Sequence, residues 1–558
     1  GVVPKQGIVR STTGEPGNLL LLVGAPTGRD GIHGASGLAS RTLEKEREQR
    51  PAVQVGNPFL EKVLLEACLE VALAADIAGM QDLGAAGLTS SAVEAAANAG
   101  TGLEIDVSKV PRRDQEMTPY EIMLSESQER MLIIVNPNSV GKVQKTFAKW
   151  GLDSTIVGAV TGDGEASVRD GTRREGKVPI NLLTEPPLYK LKGVKPGVLT
   201  DLQQYELENV PLPPEGPAGV LCKLLSSSNI SSKEPVFRQY DHQVQTNTLM
   251  GPGADAAVLR IKGTCKAIAL TTDGNGRYCY LNPYIGGIIA VAEACRNVST
   301  VGADPIALTD CLNFGNPERP ETYYQLEECV KGIARASSNF DVPIISGNES
   351  LYNESGEGSI YPTPIIGALG LLEKATGYVT SAFVNEGDLV FLLGADKISG
   401  DARNLAGSEY LELLHGLVAG NPTIDLNLEV AVQEITRHTV RLGLIQSAHD
   451  CSEGGLAVTL AECCIAGGIG IRGDIRLSGR WDAALFGESQ SRIVVSVSPE
   501  NLTQLTQEYE RAKIPFVKLG YVGGNTMAIT SHLDLNVDTI AHAWSTGLGQ
   551  AMGDSSYS

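Results

Sequence analysis

An internal repeat constrains the fold of this sequence more than any other feature, because a repeated segment folds as a repeated structural unit. The first shared element is a strongly apolar run that ends in a glycine turn, a pattern typical of a buried strand. The second is an acidic residue followed by a glycine-containing turn and a helical stretch. The first copies read NLLLLVGAPTGRDG (18–31) and QDLGAAGL (81–88), and the second copies read DLVFLLGADKISGD (388–401) and HDCSEGGL (449–456).

The third shared element is a Glu-Ser-Gln tripeptide that precedes an arginine and an apolar strand. It reads SESQER before MLIIV in the first copy and GESQSR before IVVSV in the second. Because the three elements keep the same order in both places, the sequence predicts two copies of one large module, at residues 1–186 and 379–558.

A different, smaller module lies between the copies, at residues 237–378. Apolar runs such as PGADAAVLRI, KAIALTTDG and PIALTDCLNFG alternate there with helical stretches, which favours α/β layers. Residues 187–236 contain LPPEGPAG and SSSNISS, and this composition indicates a linker or an extended wrap over the surface. The expected fold class is therefore α/β, with modules in the order large, small, large.

Composition and charge exclude several classes of protein. A chain of 558 residues has room for three or four domains of about 150 residues each. The hydrophobic share of 42% is that of an ordinary soluble globular protein, and the lack of any apolar run of about 18 residues argues against a membrane span. The net charge of −20 argues against a nucleic-acid partner. The ten cysteines form no CxxC motif, so we expect reduced thiols in a cytoplasmic protein.

Two strand ends in the small module carry residues suited to phosphate or Mg²⁺ chemistry. Asp310 ends one apolar run before a glycine turn, while Gly347, Asn348 and Ser350 follow another. A carboxylate at a strand end suits Mg²⁺ or nucleotide binding, because the glycine turn lets the backbone approach a phosphate. The competing interpretation of Asp310 is a side chain that caps its own turn.

The first large module offers a second set of candidates. Asp82 stands before a glycine turn and a helix, where a carboxylate either caps the helix or holds a metal beside bound phosphate. Glu126-Ser127-Gln128 suits a polar substrate that carries hydroxyls and amides. For Gln54, in a loop-like stretch, a surface glutamine is the competing interpretation. The Gly-rich tract 27–37 lacks a P-loop ending and its His33 has no identifiable partner, so spacing names no catalytic base.

Seven segments together resemble the phosphoribosylformylglycinamidine synthase family, the large subunits of formylglycinamide ribonucleotide amidotransferase. The segments are RPAVQVGNPF, QDLGAAGLTSS, MTPYEIMLSESQERM, YDHQVQTNT, LNFGNPE, SGNESLYNE and DCSEGGLAV. Single segments recur in the wider superfamily of aminoimidazole ribonucleotide synthetase, selenophosphate synthetase and thiamine-phosphate kinase. The full set in this order is specific to the synthase, and it extends from about residue 17 to residue 530.

The resemblance implies a fold of aminoimidazole ribonucleotide synthetase-like modules and a reaction in purine biosynthesis. ATP phosphorylates the amide oxygen of formylglycinamide ribonucleotide, and ammonia from glutamine then displaces phosphate to give formylglycinamidine ribonucleotide. The implied cofactors are ATP and Mg²⁺. The implied substrate contacts are Gln54, Glu126, Ser127, Gln128 and Ser350; the implied ATP contacts are Asp310 and Gly347; the implied Mg²⁺ ligands are Asp82 and Asn348.

One departure from the family pattern concerns catalysis. The family's catalytic histidines lie in a SHNHP-type stretch of a first small module, and this sequence contains no such stretch. The corresponding place in its small module reads LNPYIGG (281–287). Because the chain also starts abruptly with GVVP, we expect an N-terminal small module on another or an omitted segment, which supplies the base. A glutaminase subunit and a small adaptor subunit are further expected partners, since no glutaminase triad is identifiable.

Two alternative functions remain open. The chain could be a non-catalytic, nucleotide-binding scaffold subunit that docks a glutaminase. It could also be another ATP-using member of the aminoimidazole ribonucleotide synthetase superfamily, which the doubled large module disfavours.

Overall fold

The computed structural model describes residues 2–32, 55–74, 77–356, 358–529 and 531–553. These residues form two compact units, Gly1–Lys190 and Leu191–Ser558, called unit 1 and unit 2 below. None of the helices in these ranges combines the length and the apolar character that a membrane crossing requires.

Unit 1 is one seven-stranded sheet with helices on both faces. Its strands are β1 (Leu19–Gly24), β2 (Ile77–Asp82), β3 (Gly102–Asp106), β4 (Arg130–Val135), β5 (Ser154–Thr161), β6 (Glu165–Asp170) and β7 (Arg173–Pro179). Its helices are α1 (Pro58–Ala74), α2 (Gly87–Ala99), α3 (Pro119–Leu124), α4 (Val140–Lys149) and α5 (Ile180–Thr184). The strand order in the sheet is β2-β4-β1-β5-β3-β6-β7.

The apolar run of β1 shows why helices cover both faces of this sheet. Successive strand residues point to opposite faces, so a continuous apolar run needs cover on both sides. Leu20 and Leu22 pack into a core that includes residues of α2, while Leu21 and Val23 pack into a second core with residues of α1 and α4.

Unit 2 begins with a segment that the composition alone did not resolve. Residues 191–236 form α6 (Val198–Gln203), α7 (Gly216–Leu225) and α8 (Glu234–Phe237). Val220, Leu221 and Leu224 of α7 are fully buried in the core of the second large module. This part of the predicted linker is therefore a packed element, because its short LCKLL run supplies an apolar helix face between Pro- and Ser-rich turns.

The small module is a six-stranded sheet with two long helices on one face. Its strands are β8 (Thr248–Met250), β9 (Ala257–Arg260), β10 (Ala267–Asp273), β11 (Asp304–Asn313), β12 (Ile344–Ser350) and β15 (Thr363–Leu372), with a separate hairpin of β13 (Glu354–Ser355) and β14 (Gly358–Ser359). Its helices are α9 (Gly276–Leu281), α10 (Pro283–Thr300) and α11 (Pro320–Phe340).

Helices α10 and α11 approach each other closely because glycines face the partner backbone. The Asn282 side chain accepts a hydrogen bond from Ile285 N at the start of α10, and Pro283 occupies the first helical position. A Cβ atom at Gly287 would lie 2.4 Å from the Cys329 carbonyl oxygen, and one at Gly332 would lie 2.0 Å from that of Tyr284. Side chains at these two positions would force the helices apart.

The second large module repeats the topology of unit 1. Its strands are β16 (Leu389–Leu393), β17 (Ile398–Gly400), β18 (Ser447–Asp450), β19 (Ile471–Gly473), β20 (Leu477–Gly479), β21 (Ile493–Val497), β22 (Phe516–Val522), β23 (Thr526–Ile529) and β24 (Leu533–Asn536). Its helices are α12 (Glu409–His415), α13 (Leu426–Arg441), α14 (Gly455–Gly467), α15 (Trp481–Phe486), α16 (Leu502–Arg511) and α17 (Val537–Ala551).

The strand order β18-β21-β16-β22-β19-β23-β24 matches that of unit 1 position by position. Even the irregularity in the central strand is shared, since the register shifts between Leu20 and Leu21 in one copy and between Val390 and Phe391 in the other. The repeat inferred from three sequence elements is thus confirmed over the whole sheet.

Buried charges join the small module to the second large module within unit 2. Arg296 of α10 is fully buried and donates to both carboxylate oxygens of Glu429 at 2.8 and 2.9 Å. The Tyr278 hydroxyl donates to Glu488 at 2.5 Å, and the other oxygen of Glu488 accepts from Gly454 N and Glu409 N, both at 2.8 Å. Burial is the main cause that raises the pKa of Glu488 to about 7.

We expect Arg296→Met to lower the free energy of unfolding of unit 2 by about 3–5 kcal/mol, because it leaves buried carboxylates without their cation. Urea denaturation followed through Trp481 and Trp544 in a Trp150→Phe background measures this change. Arg511→Met is the matched control, since its pair with Glu508 is at the surface and its loss leaves stability nearly unchanged. Equal losses in the two variants would contradict the prediction.

The raised pKa of Glu488 gives a second expectation. The Glu488 carboxyl binds a proton more tightly in the folded protein than in the unfolded chain. The stability that Glu488 contributes therefore falls as pH rises from about 4 toward 7. Glu488→Gln removes that contribution, and the decline of Tm between about pH 5 and about pH 8 should become shallower. An exposed control, Glu386→Gln, should leave the decline unchanged. A Glu488→Gln profile parallel to that of the wild type would refute this.

Candidate functional site

In unit 1 the predicted residues converge at one edge of the sheet. Asp82 is the last residue of β2, which runs antiparallel to β4, and it lies opposite Met131 at the start of β4. Its exposed carboxylate accepts a hydrogen bond from Gln81 Nε2 at 3.0 Å. The Glu-Ser-Gln loop enters β4 at this same edge, so Asp82 and residues 126–128 border one region of unit 1.

The turn after Asp82 is held by Glu126. Ala86 adopts a left-handed backbone with φ of 58°, and its N–H donates to Glu126 Oε1 at 3.1 Å. Gly87, with φ of 53°, starts α2 so close to the Ser125 carbonyl that a Cβ would lie 2.0 Å from that oxygen. The helix α2 therefore begins near Asp82, as the sequence predicted.

The Glu-Ser-Gln side chains divide into two kinds. Glu126 and Ser127 are each 3% exposed, and the Ser127 hydroxyl donates to the Asp30 carboxylate and accepts from Gly28 N at 2.9 Å. The side chains of Glu126 and Ser127 are thus bound to other groups of unit 1, namely backbone N–H groups and the Asp30 carboxylate. Gln128 is half-buried and donates to the Glu126 carbonyl at 3.0 Å, so it offers the more accessible side chain of the three.

A buried arginine, Arg130, binds the backbone carbonyls of this loop. Arg130 Nε donates to the Ser127 carbonyl at 2.8 Å and its Nη2 donates to the Ser125 carbonyl at 2.5 Å. Burial lowers the pKa of Arg130 to about 10. This value is still well above neutral pH, so the guanidinium remains charged there. The second copy repeats the device, since Arg492 donates to the carbonyls of Ser489 and Gly487 at 2.8 and 2.7 Å.

In unit 2 the register of two parallel strands brings the small-module candidates together. In the pairing of β11 with β12, Asp310 lies beside Gly347, Cys311 beside Asn348 and Asn313 beside Ser350. These strand ends border a cavity of about 800 Å³ lined by Asp310, Gly347 and Asn348 among others. The parallel pairing explains the convergence, because polar residues at the same ends of two adjacent strands share one edge.

The contacts at this edge leave room for a ligand. A Cβ at residue 347 would lie 1.7 Å from Asp310 Oδ1, so a glycine is required for the carboxylate to keep its position. Asn348 is exposed, and its Nδ2 donates a hydrogen bond to Cys311 Sγ at 3.5 Å. Ser350 is half-buried, and its hydroxyl accepts from Asn353 Nδ2 at 3.1 Å.

Glu349 is a neighbour that the sequence reasoning passed over. Burial, and after it the charge of Glu349, raises the pKa of Asp310 above its ordinary value. Glu349 also lines the cavity. Its place between Asn348 and Ser350 in the SGNES stretch was the available signal, because an acid beside a predicted metal ligand adds a further oxygen donor.

A buried acidic cluster in unit 2 was also missed. Glu293 and Asp450 are buried and Asp273 is half-buried; desolvation is the main cause that raises the pKa of each, that of Asp450 to about 7, and the charge of Glu453 raises all three further. Asn297 Nδ2 donates to Asp273 at 2.8 Å, while its buried Oδ1 has no hydrogen-bond partner. Arg296 lies among these carboxylates and pairs with Glu293 and Asp450, so a buried guanidinium balances part of their charge.

The repeat was the signal that could have found this cluster. Asp450 occupies in the second copy the position of Asp82 in the first, at the end of β18 before the glycine turn. An assignment of Asp82 as a metal ligand therefore extends to Asp450. Two earlier candidates, His33 and Gln54, lie outside the described residues.

Two known domain families match the large and small modules of this chain. The family described as AIR synthase related protein, C-terminal domain, matches residues 15–171 and 385–530. The family described as AIR synthase related protein, N-terminal domain, matches residues 253–372. The matches alternate in the order large, small, large and agree with the strand orders above.

Curated relatives and solved structures cover nearly the whole chain. Phosphoribosylformylglycinamidine synthase subunit PurL of Moorella thermoacetica is 46% identical over 550 residues, which are 98% of this chain and 74% of the relative. The PurL of Alkaliphilus metalliredigens is 48% identical over 530 residues, 94% of this chain and 71% of the relative.

Among solved structures, T. maritima PurL complexed with FGAR has a TM-score of 0.70 at 26% identity and covers 94% of this chain and 74% of that chain. T. maritima PurL complexed with ATP has a TM-score of 0.66 at 26% identity, covering 94% and 73%. With both module types, their order and nearly the full sequence matched, this chain belongs to the PurL family of phosphoribosylformylglycinamidine synthases, the ATP-dependent ligases that convert formylglycinamide ribonucleotide to formylglycinamidine ribonucleotide in purine biosynthesis.

Proposed function

We propose that the edge formed by β11 and β12 binds ATP in this reaction and that the Glu-Ser-Gln edge of unit 1 binds formylglycinamide ribonucleotide. The observation that carries the proposal is the register that sets Asp310 beside Gly347 at the rim of a cavity of about 800 Å³. That volume lies in the range of small-molecule and cofactor sites. The reaction itself needs mostly positioning and charge stabilisation, which suits a site built on strand ends.

The ATP site uses the absence of a side chain at residue 347. Gly347 lets a nucleotide reach the strand backbone and the Asp310 carboxylate at the same place. We assign Asp310 and Gly347 as nucleotide contacts and Ser350, three residues further along β12, as a substrate contact. One related protein, T. maritima PurL, has been solved in complexes with ATP and with FGAR, which supports the presence of both binding sites in a protein of this fold.

The hydrogen bonds within unit 1 limit which groups of the Glu-Ser-Gln loop can contact the substrate. Gln54, Glu126, Ser127 and Gln128 remain the proposed substrate contacts, but the side chains of Glu126 and Ser127 already bind Ala86 N, Gly28 N and Asp30. We infer that this loop contacts the substrate through its backbone and the Gln128 amide. Hydroxyl and amide groups of the substrate can both be matched in this way.

Magnesium completes the proposed chemistry. When bound, Mg²⁺ neutralises charge on the phosphoryl group that is transferred. Asp82 in unit 1 and Asn348 in unit 2 are each proposed as a Mg²⁺ ligand, since a carboxylate and an amide carbonyl are hard oxygen donors.

The outer face of the small module's sheet indicates a partner for this module. Along β15 the side chains of Ile366, Ala368 and Leu372 are buried under the helices, while Ile365 and Leu369 on the opposite face are only half-buried. A strand that is apolar on both faces needs a second cover. We propose that another small module, the one that brings the histidine base, packs on this face.

Ammonia would come from a glutaminase subunit, with a small adaptor subunit in the complex. The relatives are named as subunits, and one solved structure is described as PurLQS from Thermotoga maritima. Within the chain itself no catalytic base is assigned. We place the reaction in the cytoplasm, in keeping with the ten free cysteines.

Gly347→Ala should weaken binding of Mg-ATP by at least about tenfold, because the new Cβ displaces the Asp310 carboxylate. Isothermal titration calorimetry on the 558-residue chain gives the affinity, and Asp310→Ala should lose binding as well. Gly356→Ala is the matched control, since a Cβ there meets no atom within 4 Å. Unchanged affinity in Gly347→Ala would rule out this nucleotide site.

Supplying a small module tests the partner. The first small module of the Moorella thermoacetica relative, expressed separately, should restore phosphate release that depends on formylglycinamide ribonucleotide and ammonia. Leu369→Asp should block the restoration, because it places a charge on the apolar sheet face, whereas Lys331→Asp on α11 should not. Activity of this chain without any added module would show that the base lies within it and would overturn the assignment.

A further inference from the structure

Helix α1 of unit 1 presents a row of leucines to solvent. Leu65, Leu69 and Leu73, called the leucine row below, are four residues apart, which places them on one face of the helix. Leu69 is 52% exposed and Leu73 is 79% exposed. The inner face of α1 is packed already, since Leu64 and Ala67 belong to a core of unit 1. An apolar row on the outer face of such a helix indicates an interaction surface.

The internal repeat identifies the helix in the second copy that corresponds to α1. The segment FLEKVLLEACLEVALAADIAGMQD (59–82) aligns without a gap with NLEVAVQEITRHTVRLGLIQSAHD (427–450), which includes most of α13. Both segments end with the acid that ends the edge strand of a seven-stranded sheet. The buried Leu64 aligns with the buried Val432, so the inner faces of the two helices match as well.

In the second large module, α13 holds the small module. Glu429 on α13 binds the buried guanidinium of Arg296, which belongs to α10 of the small module. One turn later, Gln433 Nε2 donates to the Ala292 carbonyl of α10 at 2.9 Å. Helix α13 thus binds α10 through an acid that meets a buried arginine and through a polar side chain beside it.

The C-terminal half of α13 continues this polar contact. Arg437 Nη1 donates to Ser299 Oγ of α10 at 2.7 Å, and Arg437 and Arg441 both pair with the Asp304 carboxylate of β11. Gln433, Arg437 and Arg441 are four residues apart and form one contact row, called the polar row below.

The alignment keeps the acid and replaces the polar row by apolar side chains. Glu61 of α1 aligns with Glu429, and the leucine row aligns residue by residue with the polar row. Glu61 is exposed on α1, whereas Glu429 is fully buried against the small module. The face that α1 leaves exposed is therefore the face with which α13 binds a small module.

We infer that Glu61 and the leucine row form the docking surface for the second small module, an inference that rests on the proposed function for the presence of that module. The docking helix of the module carries an arginine opposite Glu61 and apolar side chains opposite the leucines. A module like residues 237–378 would instead bury Ser299 and Asp304 against leucines, and buried polar groups without partners weaken a contact. Each large module thus selects its own small module.

Maleimide labelling of Leu69→Cys, read by peptide mass spectrometry, tests this docking. The variant is compared in the 558-residue chain and in a fusion that places the first small module of the Moorella thermoacetica relative before Gly1. Labelling should be at least about tenfold slower in the fusion, because the docked helix covers residue 69. Leu182→Cys is the matched control, since Leu182 is 61% exposed on α5 and should be labelled alike in both proteins.

Two changes in the Leu69→Cys fusion test the chemistry of the surface. Glu61→Gln leaves the arginine of the module without its carboxylate and should speed labelling about tenfold. Leu65→Gln combined with Leu73→Arg introduces residues of the polar row, which are good helix formers, and should abolish the protection. Glu94→Gln, at an exposed glutamate of α2, is the control and should leave the protection unchanged.

Equal labelling of Leu69→Cys in the chain and in the fusion would overturn the inference, and phosphate release by that fusion would leave the proposed function standing. Protection without phosphate release would support the docking surface and count against the proposed function instead. Labelling that slows as the concentration of the 558-residue chain rises would identify a second copy as the occupant and would also overturn the inference. Unchanged protection in Glu61→Gln would refute the arginine contact.

Discussion

The candidate substrate edge depends on a buried arginine that binds the carbonyls of the loop preceding it. Arg130 closes the Glu-Ser-Gln turn onto the start of its strand, and Arg492 does so in the second copy. Carbonyl groups turned inward in a loop would otherwise be buried without donors, at a cost of about 1–3 kcal/mol each. The acid of the tripeptide holds the turn at the start of a helix that lies earlier in the chain, through Ala86 N in one copy and Gly454 N in the other.

The two copies use this common frame differently. In unit 1 the Ser127 hydroxyl binds the Asp30 carboxylate and ties the loop to the turn after β1. In unit 2 the acid Glu488 faces Tyr278 of the small module, so the same loop becomes part of a contact between modules. Position in the sheet is thus conserved between the copies, while the partners of each side chain depend on what packs beside it.

Much of the fold follows from local sequence pattern. The runs LLLLV and LVFLL predict buried strands, and the structure has helices on both sides of the seven-stranded sheet in each large module. Convergence of Asp310 with Gly347 was also predictable, since both end neighbouring apolar runs. The buried helix α7 was not predictable, because its one valine and three leucines stand among prolines and serines, and short helices gain their stability from tertiary packing.

The sites that escaped prediction involve contacts between distant segments. The cluster of Asp273, Glu293 and Asp450 gathers residues from two modules, and each acid alone resembles an ordinary polar residue. The buried state of Glu126 and Ser127 likewise depends on Asp30, which is remote in sequence and whose role no spacing rule indicates. Sequence pattern therefore locates strand ends well, but it does not show which side chains will be buried in hydrogen bonds within the fold.

The identical strand order of the two large modules has a consequence for folding. Two segments of one chain that build the same topology can exchange strands while they fold, a failure characteristic of repeat and multidomain proteins. Differences in core shape counteract this exchange, because Leu21 in the first central strand is matched by the larger Phe391, which packs near Phe516 in the second. Divergence between the copies thus also protects each sheet from incorporating the strands of the other.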